Sequence, residues 1–155
     1  MFQYDESGRG CFRYVIYGQP ASKKNGGRIV RNRATGRVAI LPNKRYVDYE
    51  KRAAEALSDR DTVTALFCPV NVKAIFYRAD HRRVDLVNLQ EALCDVLVKY
   101  QIIGDDCRDI VYSMDGSRVF YDKDNPRTEI EITPVDGDSW NTNNKRLTEI
   151  GYTLL

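Results

Sequence analysis

Histidine is nearly absent from this 155-residue chain, and no two cysteines stand close together. The single His81 excludes metal sites built on two or more imidazoles and leaves one candidate base for a Ser–His or Cys–His pair. Cys11, Cys68, Cys94 and Cys107 lie 57, 26 and 13 positions apart, so no zinc knuckle or CxxC redox motif is available. Free thiols in a reducing compartment are the expectation. No apolar run approaches the roughly 18 residues needed to cross a bilayer, and MFQYDESGRG lacks the apolar stretch of a secretory signal. The prediction is a soluble, intracellular protein with no membrane partner. Only 5 prolines and 10 glycines accompany 43% hydrophobic and 30% charged residues, an ordinary globular composition. One compact domain is expected at this length.

Acidic residues are also missing from one long stretch. Between Glu6 and Asp48 there are none, while ten Lys and Arg residues fall there, so that segment carries +10 and the remainder −8. A basic region beside a separate acidic one suits a polyanion held by the first and metal ions held by the second. Within GQPASKKNGGRIVRNRATGRVAILP, glycines allow close approach of the backbone to a ligand, and short apolar runs around Ile29 and Val38 predict a hairpin. Its spacing fits neither a P-loop nor a dinucleotide fingerprint. Lys23, Lys24, Arg28, Arg31 and Arg33 are candidate phosphate contacts, joined by Arg82 and Arg83 further on.

The remaining elements are read from periodicity. CFRYVIY, residues 11–17, predicts a strand ending at a Gly-Gln-Pro turn. Asn43 is placed to cap a helix over 44–58, with Tyr46, Tyr49, Ala53, Ala54 and Leu57 at helical spacing. Residues 70–77 alternate as a half-buried strand, with Val70, Val72, Ala74 and Phe76 on one side. A second helix is predicted over 86–100, then two β-rich runs about Asp115-Gly116, which reads as a hairpin turn, and a strand over 127–133. Strands and helices interleave without a strict βαβ repeat. The fold class is therefore α+β, a single domain with a mixed sheet and two main helices packed on it. Residues 1–135 form the predicted domain and 136–155 a C-terminal extension, in which Trp140 reads as a packing anchor.

The stretch HRRVDLVNLQEALCDVLVKYQIIGDD, residues 81–106, carries the chemistry. Leu89, Leu93, Val96 and Tyr100 share one helical face, and Asn88, Glu91, Asp95 and Lys99 form a polar stripe on the other. Asp85 precedes the helix, where an ordinary N-cap role is its bland reading; Asp105 and Asp106 could equally cap a turn. Converging carboxylates repel by roughly 1 kcal/mol at about 4 Å even at the dielectric of water, and a divalent cation reverses that. Mg²⁺ binds through one or two carboxylates, waters and substrate phosphate oxygens, which suits phosphodiester cleavage by activated water. No organic cofactor is called for.

These segments resemble the RusA-type Holliday junction resolvases, typically encoded by phages and prophages. The resemblance rests on Gly18, Pro20, Ser22 and Lys23 in a G-x-P-x-S-K pattern after a strand, on RRVDLVNLQEALCDVL from Arg82 to Leu97, and on the acidic pair Asp105-Asp106. With the closing PRTEIEI strand it spans roughly residues 12–133. It implies a homodimer of small α+β subunits in the bacterial cytoplasm that binds four-way DNA junctions and, with Mg²⁺ or Mn²⁺, makes paired symmetrical nicks. The family's catalytic aspartates fall on Asp85 and Asp106, with Asp105 adjoining. The family pattern D-x-D-N-x-x-K appears here as D-L-V-N-L-Q-E, so Val87 replaces an aspartate and Glu91 a lysine. The expected metal set is therefore Asp85, Asp105, Asp106, Asn88, Glu91 and Asp95, with Asp85, Asp106 and Glu91 catalytic. A non-catalytic or weakly catalytic branched-DNA-binding protein is the alternative, and an RNA-directed protein stays open because phosphate contacts carry no base information.

Overall fold

In this computed structural model, residues 2–4, 10–24, 28–31, 33–41, 43–58 and 65–135 are described. The main sheet contains β1 (Phe2–Tyr4), β2 (Gly10–Tyr17), β5 (Val70–Arg78), β6 (Val111–Ser113), β7 (Arg118–Tyr121) and β8 (Arg127–Pro134). A separate antiparallel hairpin consists of β3 (Arg28–Arg31) and β4 (Val38–Leu41), as the sequence predicts. The helices are α1 (Lys44–Ser58) and α2 (Leu86–Lys99). The chain is α+β, and its sheet is mixed: β1, β2, β8 and β5 run antiparallel in that order, and β6 and β7 both join β5 in parallel.

Alternation along three central strands builds one buried face. Tyr14 lies opposite Ile130, which lies opposite Ala74; Ile16, Thr128 and Phe76 form the next row. The α1 residues Tyr46, Tyr49, Ala53 and Leu57 and the α2 residues Leu89, Ala92, Leu93, Val96 and Leu97 complete a single core cluster over it. Leu93 and Leu97 are fully buried, so truncating either to alanine costs about 2–5 kcal/mol. Inside it, the Tyr49 hydroxyl donates to Thr128 Oγ1 at 3.0 Å. Asn43 caps α1, its Oδ1 accepting the Arg45 N–H at 3.0 Å.

The Asp115-Gly116 turn forms, but its flanking strands do not make the predicted hairpin. Both pair with β5 instead, β6 near its start and β7 along its end. The Asn71 side chain explains the jog: its Oδ1 accepts from the Asp115 N–H at 2.8 Å and the Ser113 hydroxyl at 2.7 Å. With these groups held by β5, the edge strand stays parallel to it on both sides of the turn. The short β1 was not anticipated from the sequence. Residues 136–155, with Trp140, lie outside the described residues.

Candidate active site

Because β5 and β6 are parallel, the segment between them must carry the chain back across the sheet. α2 does this, so it starts near the C-terminal end of β5 and ends near the other. Asp85 occupies the N-cap position of α2 with φ −89° and ψ 125°, yet its side chain bonds no helix N–H. Its Oδ2 instead accepts from Asn88 Nδ2 at 3.1 Å. The bland capping role is thus unused, and the exposed carboxylate has no cationic partner among the described residues.

The G-x-P-x-S-K segment explains what lies beside it. Gly18 sits at φ +101°, where a side chain would be strained and a Cβ would run into the Arg52 guanidinium. From there Pro20 is buried, and Lys23 and Lys24 reach the polar stripe of α2. Lys24 Nζ lies 2.6 Å from Glu91 Oε2, and Lys23 Nζ 2.8 Å from Asp95 Oδ2. The bond to Asp95 raises the Lys23 pKa above its ordinary value. Lys99 Nζ completes the stripe at 2.9 Å from Glu50. The basic and acidic regions are therefore not separate here, because lysines predicted to hold phosphate neutralise carboxylates predicted to hold metal.

Asp105 and Asp106 approach a different level of α2. The Asp106 N–H donates to Asp105 Oδ1 at 2.7 Å. Partial burial, then the bond to Asp105 and its charge, raise the Asp106 carboxyl above the usual range, and Asp95 adds to this. Burial, reinforced by the charges of Asp106 and Asp95, pushes the Cys94 thiol up to about 12. The charge of Asp106 is thus felt at Cys94 and Asp95, between two and three helical turns along α2 from Asp85. Among the described residues no three acidic, histidine or cysteine side chains gather closely enough for one metal ion. The expected six-residue metal set divides into Asp85 with Asn88, the lysine-paired Glu91 and Asp95, and the pair Asp105–Asp106.

A cavity of about 360 Å³ opens against Asp85, walled by the 19–24 turn and the starts of α1 and α2. Lys24, Arg45, Arg78, Arg82 and Arg83 line it together with this single carboxylate. Arg45, Arg82 and Arg83 are exposed, and none forms an ion pair among the described residues. Arg31 and Arg33 are exposed on the β3–β4 hairpin and do not line the cavity; the side chain of Arg28 lies outside the described residues. His81 stacks on Tyr121, with ring centroids 3.7 Å apart. The sequence reading missed Gln19, Arg45 and Arg78. For Arg78 a signal existed: extending the inward alternation past Phe76 puts a cation at the next buried position.

The model of the Endodeoxyribonuclease RusA family matches residues 18–133, three quarters of the chain and every segment of this site. The chain belongs to the RusA endodeoxyribonuclease family. A search of curated proteins finds no match. RusA membership makes the chain a nuclease in class, and a basic cavity beside a free carboxylate is an arrangement in which a DNA phosphate meets a hard oxygen donor. The donor chemistry also fits a divalent cation. Asp85, Asp105 and Asp106 are carboxylates without basic partners among the described residues, and a cation would offset both the partial burial that chiefly raises Asp106 and its repulsion from Asp105. No helix among the described residues is long and apolar enough to cross a membrane.

Proposed function

We propose that this RusA protein is a Mg²⁺- or Mn²⁺-dependent endonuclease that resolves four-way DNA junctions by paired nicks, acting as a homodimer in DNA recombination and repair. The observation that carries the reading is the cationic cavity opening on an unneutralised Asp85. Asp85 on one side and the Asp105–Asp106 pair on the other would each offer carboxylate oxygens to divalent cations, which when bound supply an activated water and stabilise developing phosphate charge. Asn88 fixes the Asp85 carboxylate through the 3.1 Å bond and acts as a positioning residue. Arg82 and Arg83 draw the backbone against the cavity mouth. Glu91 and Asp95 hold Lys24 and Lys23 in the free protein, so the proposed metal set narrows to the three aspartates. Two symmetrical cuts call for two active sites related by a two-fold axis.

Nicking of a labelled four-way junction tests this. Asp85→Asn and Asp106→Asn should abolish Mg²⁺-dependent cleavage while retaining binding in EDTA, and duplex DNA should bind more weakly at the same salt. Full cleavage by both variants would sink the assignment. A weakly cleaving, mainly junction-binding protein is the second reading. It is favoured by Val87, which is 69% exposed at the position where the family pattern carries an aspartate.

A further inference from the structure

Two buried donors beside the cavity lack acceptors among the described residues. Arg78 leaves β5 on the helix-covered face with its side chain 9% exposed. Its Nη2 donates to Asp80 Oδ1 at 2.6 Å and its Nη1 to the Arg82 carbonyl at 3.2 Å, but its Nε has no partner. Gln19 repeats the pattern: its Oε1 accepts the Ala79 N–H at 2.8 Å, and its Nε2 is unpaired. Both residues line the cavity already described. A buried donor without an acceptor costs about 1–3 kcal/mol, and a fold rarely leaves two in one place without a ligand or water to meet them.

The surroundings specify the ligand's charge. Arg45, in the first turn of α1, and Arg83 border the same space without carboxylate partners among the described residues. The first turn of α2 presents N–H groups that the Asp85 side chain leaves uncapped, and helix N-termini favour anions. Three arginines without ion pairs among the described residues, Arg45, Arg82 and Arg83, against one carboxylate, with two buried N–H donors in the wall, describe a seat for a compact tetrahedral oxyanion.

We infer that this cavity seats one backbone phosphate of the bound nucleic acid, the one adjoining Asp85, with Arg78, Gln19 and Arg45 as its holders. The inference deepens the proposed function and rests on it for the identity of the polyanion. Arg78 and Gln19 are fixed by Asp80 and by the Ala79 backbone, so the wall of the seat is in place before DNA arrives, and a small opening of that wall brings their covered N–H groups to the phosphate. Arg45 supplies the outer charge. The seat sets which phosphodiester lies next to Asp85, and therefore the register of the cut.

Single neutral methylphosphonate linkages, moved one position at a time along a four-way junction, give the test, with binding read by fluorescence anisotropy in EDTA. One linkage per symmetry-related strand should weaken wild-type binding about tenfold, the scale of a charge-assisted contact. Arg45→Gln and Gln19→Met should each weaken binding to the unmodified junction, and at that linkage the methylphosphonate should add little further loss. If both variants bind the unmodified junction like wild type, or if every methylphosphonate penalty persists undiminished in them, the seat is refuted. Because no cleavage is measured, a protein that binds but never nicks defeats the nuclease reading and leaves this one standing. The same scan on duplex DNA tests the seat if junction preference fails.

Discussion

Removing the charge of Glu91 should strengthen DNA binding, whereas a Glu91 that chiefly held substrate or metal would give the opposite result. In the free protein, Glu91 Oε2 holds Lys24 Nζ at 2.6 Å, with the two side chains 51% and 56% exposed. Point charges at that distance attract by about 1.6 kcal/mol at the dielectric of water. Ordering two half-exposed side chains offsets most of this, leaving about 0.2–1 kcal/mol for such a pair. A phosphate must displace Glu91 to reach Lys24, so Glu91→Gln should tighten junction binding about 1.4- to 5-fold. The freed lysine should also steepen the slope of log K against log salt by about 0.9. Fluorescence anisotropy with a labelled junction in EDTA, over roughly 50 to 200 mM salt, reads both quantities. In a Lys24→Gln background most of the gain should vanish. Weaker binding by Glu91→Gln, or a gain undiminished without Lys24, would refute the reasoning. Cleavage in Mg²⁺ should persist in Glu91→Gln, since its carboxylate is engaged by a lysine.

Three further perturbations have defined outcomes. Val87→Asp, which restores the acidic residue of the family pattern at an exposed position on the first turn of α2, should raise Mg²⁺-dependent nicking several-fold without destabilising the fold; an unchanged rate would show that this position adds no ligand. Tyr49→Phe leaves the fully buried Thr128 hydroxyl without its donor and should cost about 1–3 kcal/mol in urea unfolding, whereas Tyr49→Phe with Thr128→Val should cost less than the sum of the two single changes. Cys94 is held protonated by burial and the charges of Asp106 and Asp95, so its folded value of about 12 exceeds the unfolded one near 9. Its contribution to stability is full below about 9 and is lost as pH rises towards about 12. Unfolding stability should fall over that window, Cys94→Ala should flatten the fall, and native-state alkylation near neutral pH should label exposed Cys107 well before Cys94.

Local pattern was enough to locate most elements. The alternation of Val70, Val72, Ala74 and Phe76 marks the buried side of β5, and Asn43 with Tyr46, Tyr49 and Ala53 marks the start and inner face of α1. The polar stripe of α2 was legible for the same reason, since helical geometry fixes which residues share a face before any partner is known. The partners of that stripe were not legible. Lys23 and Lys24 read as a phosphate-binding arm because composition reports charge but not the path that lays 18–24 across α2. Asp85 read as a cap or a ligand, and only its bond to Asn88 shows which way the carboxylate turns.

The sequence by itself determined the α+β class, the extents of α1, α2, β2, β5 and β8 to within a residue, the α2 register and the family, because each depends on residues within a few positions of one another. Tertiary structure decided that β6 and β7 both lie parallel to β5, that the basic segment neutralises Glu91 and Asp95, and that Arg45, Arg78 and Gln19 meet beside Asp85. Those contacts join residues tens of positions apart. Their formation depends on how the chain returns across the sheet, which no local periodicity encodes.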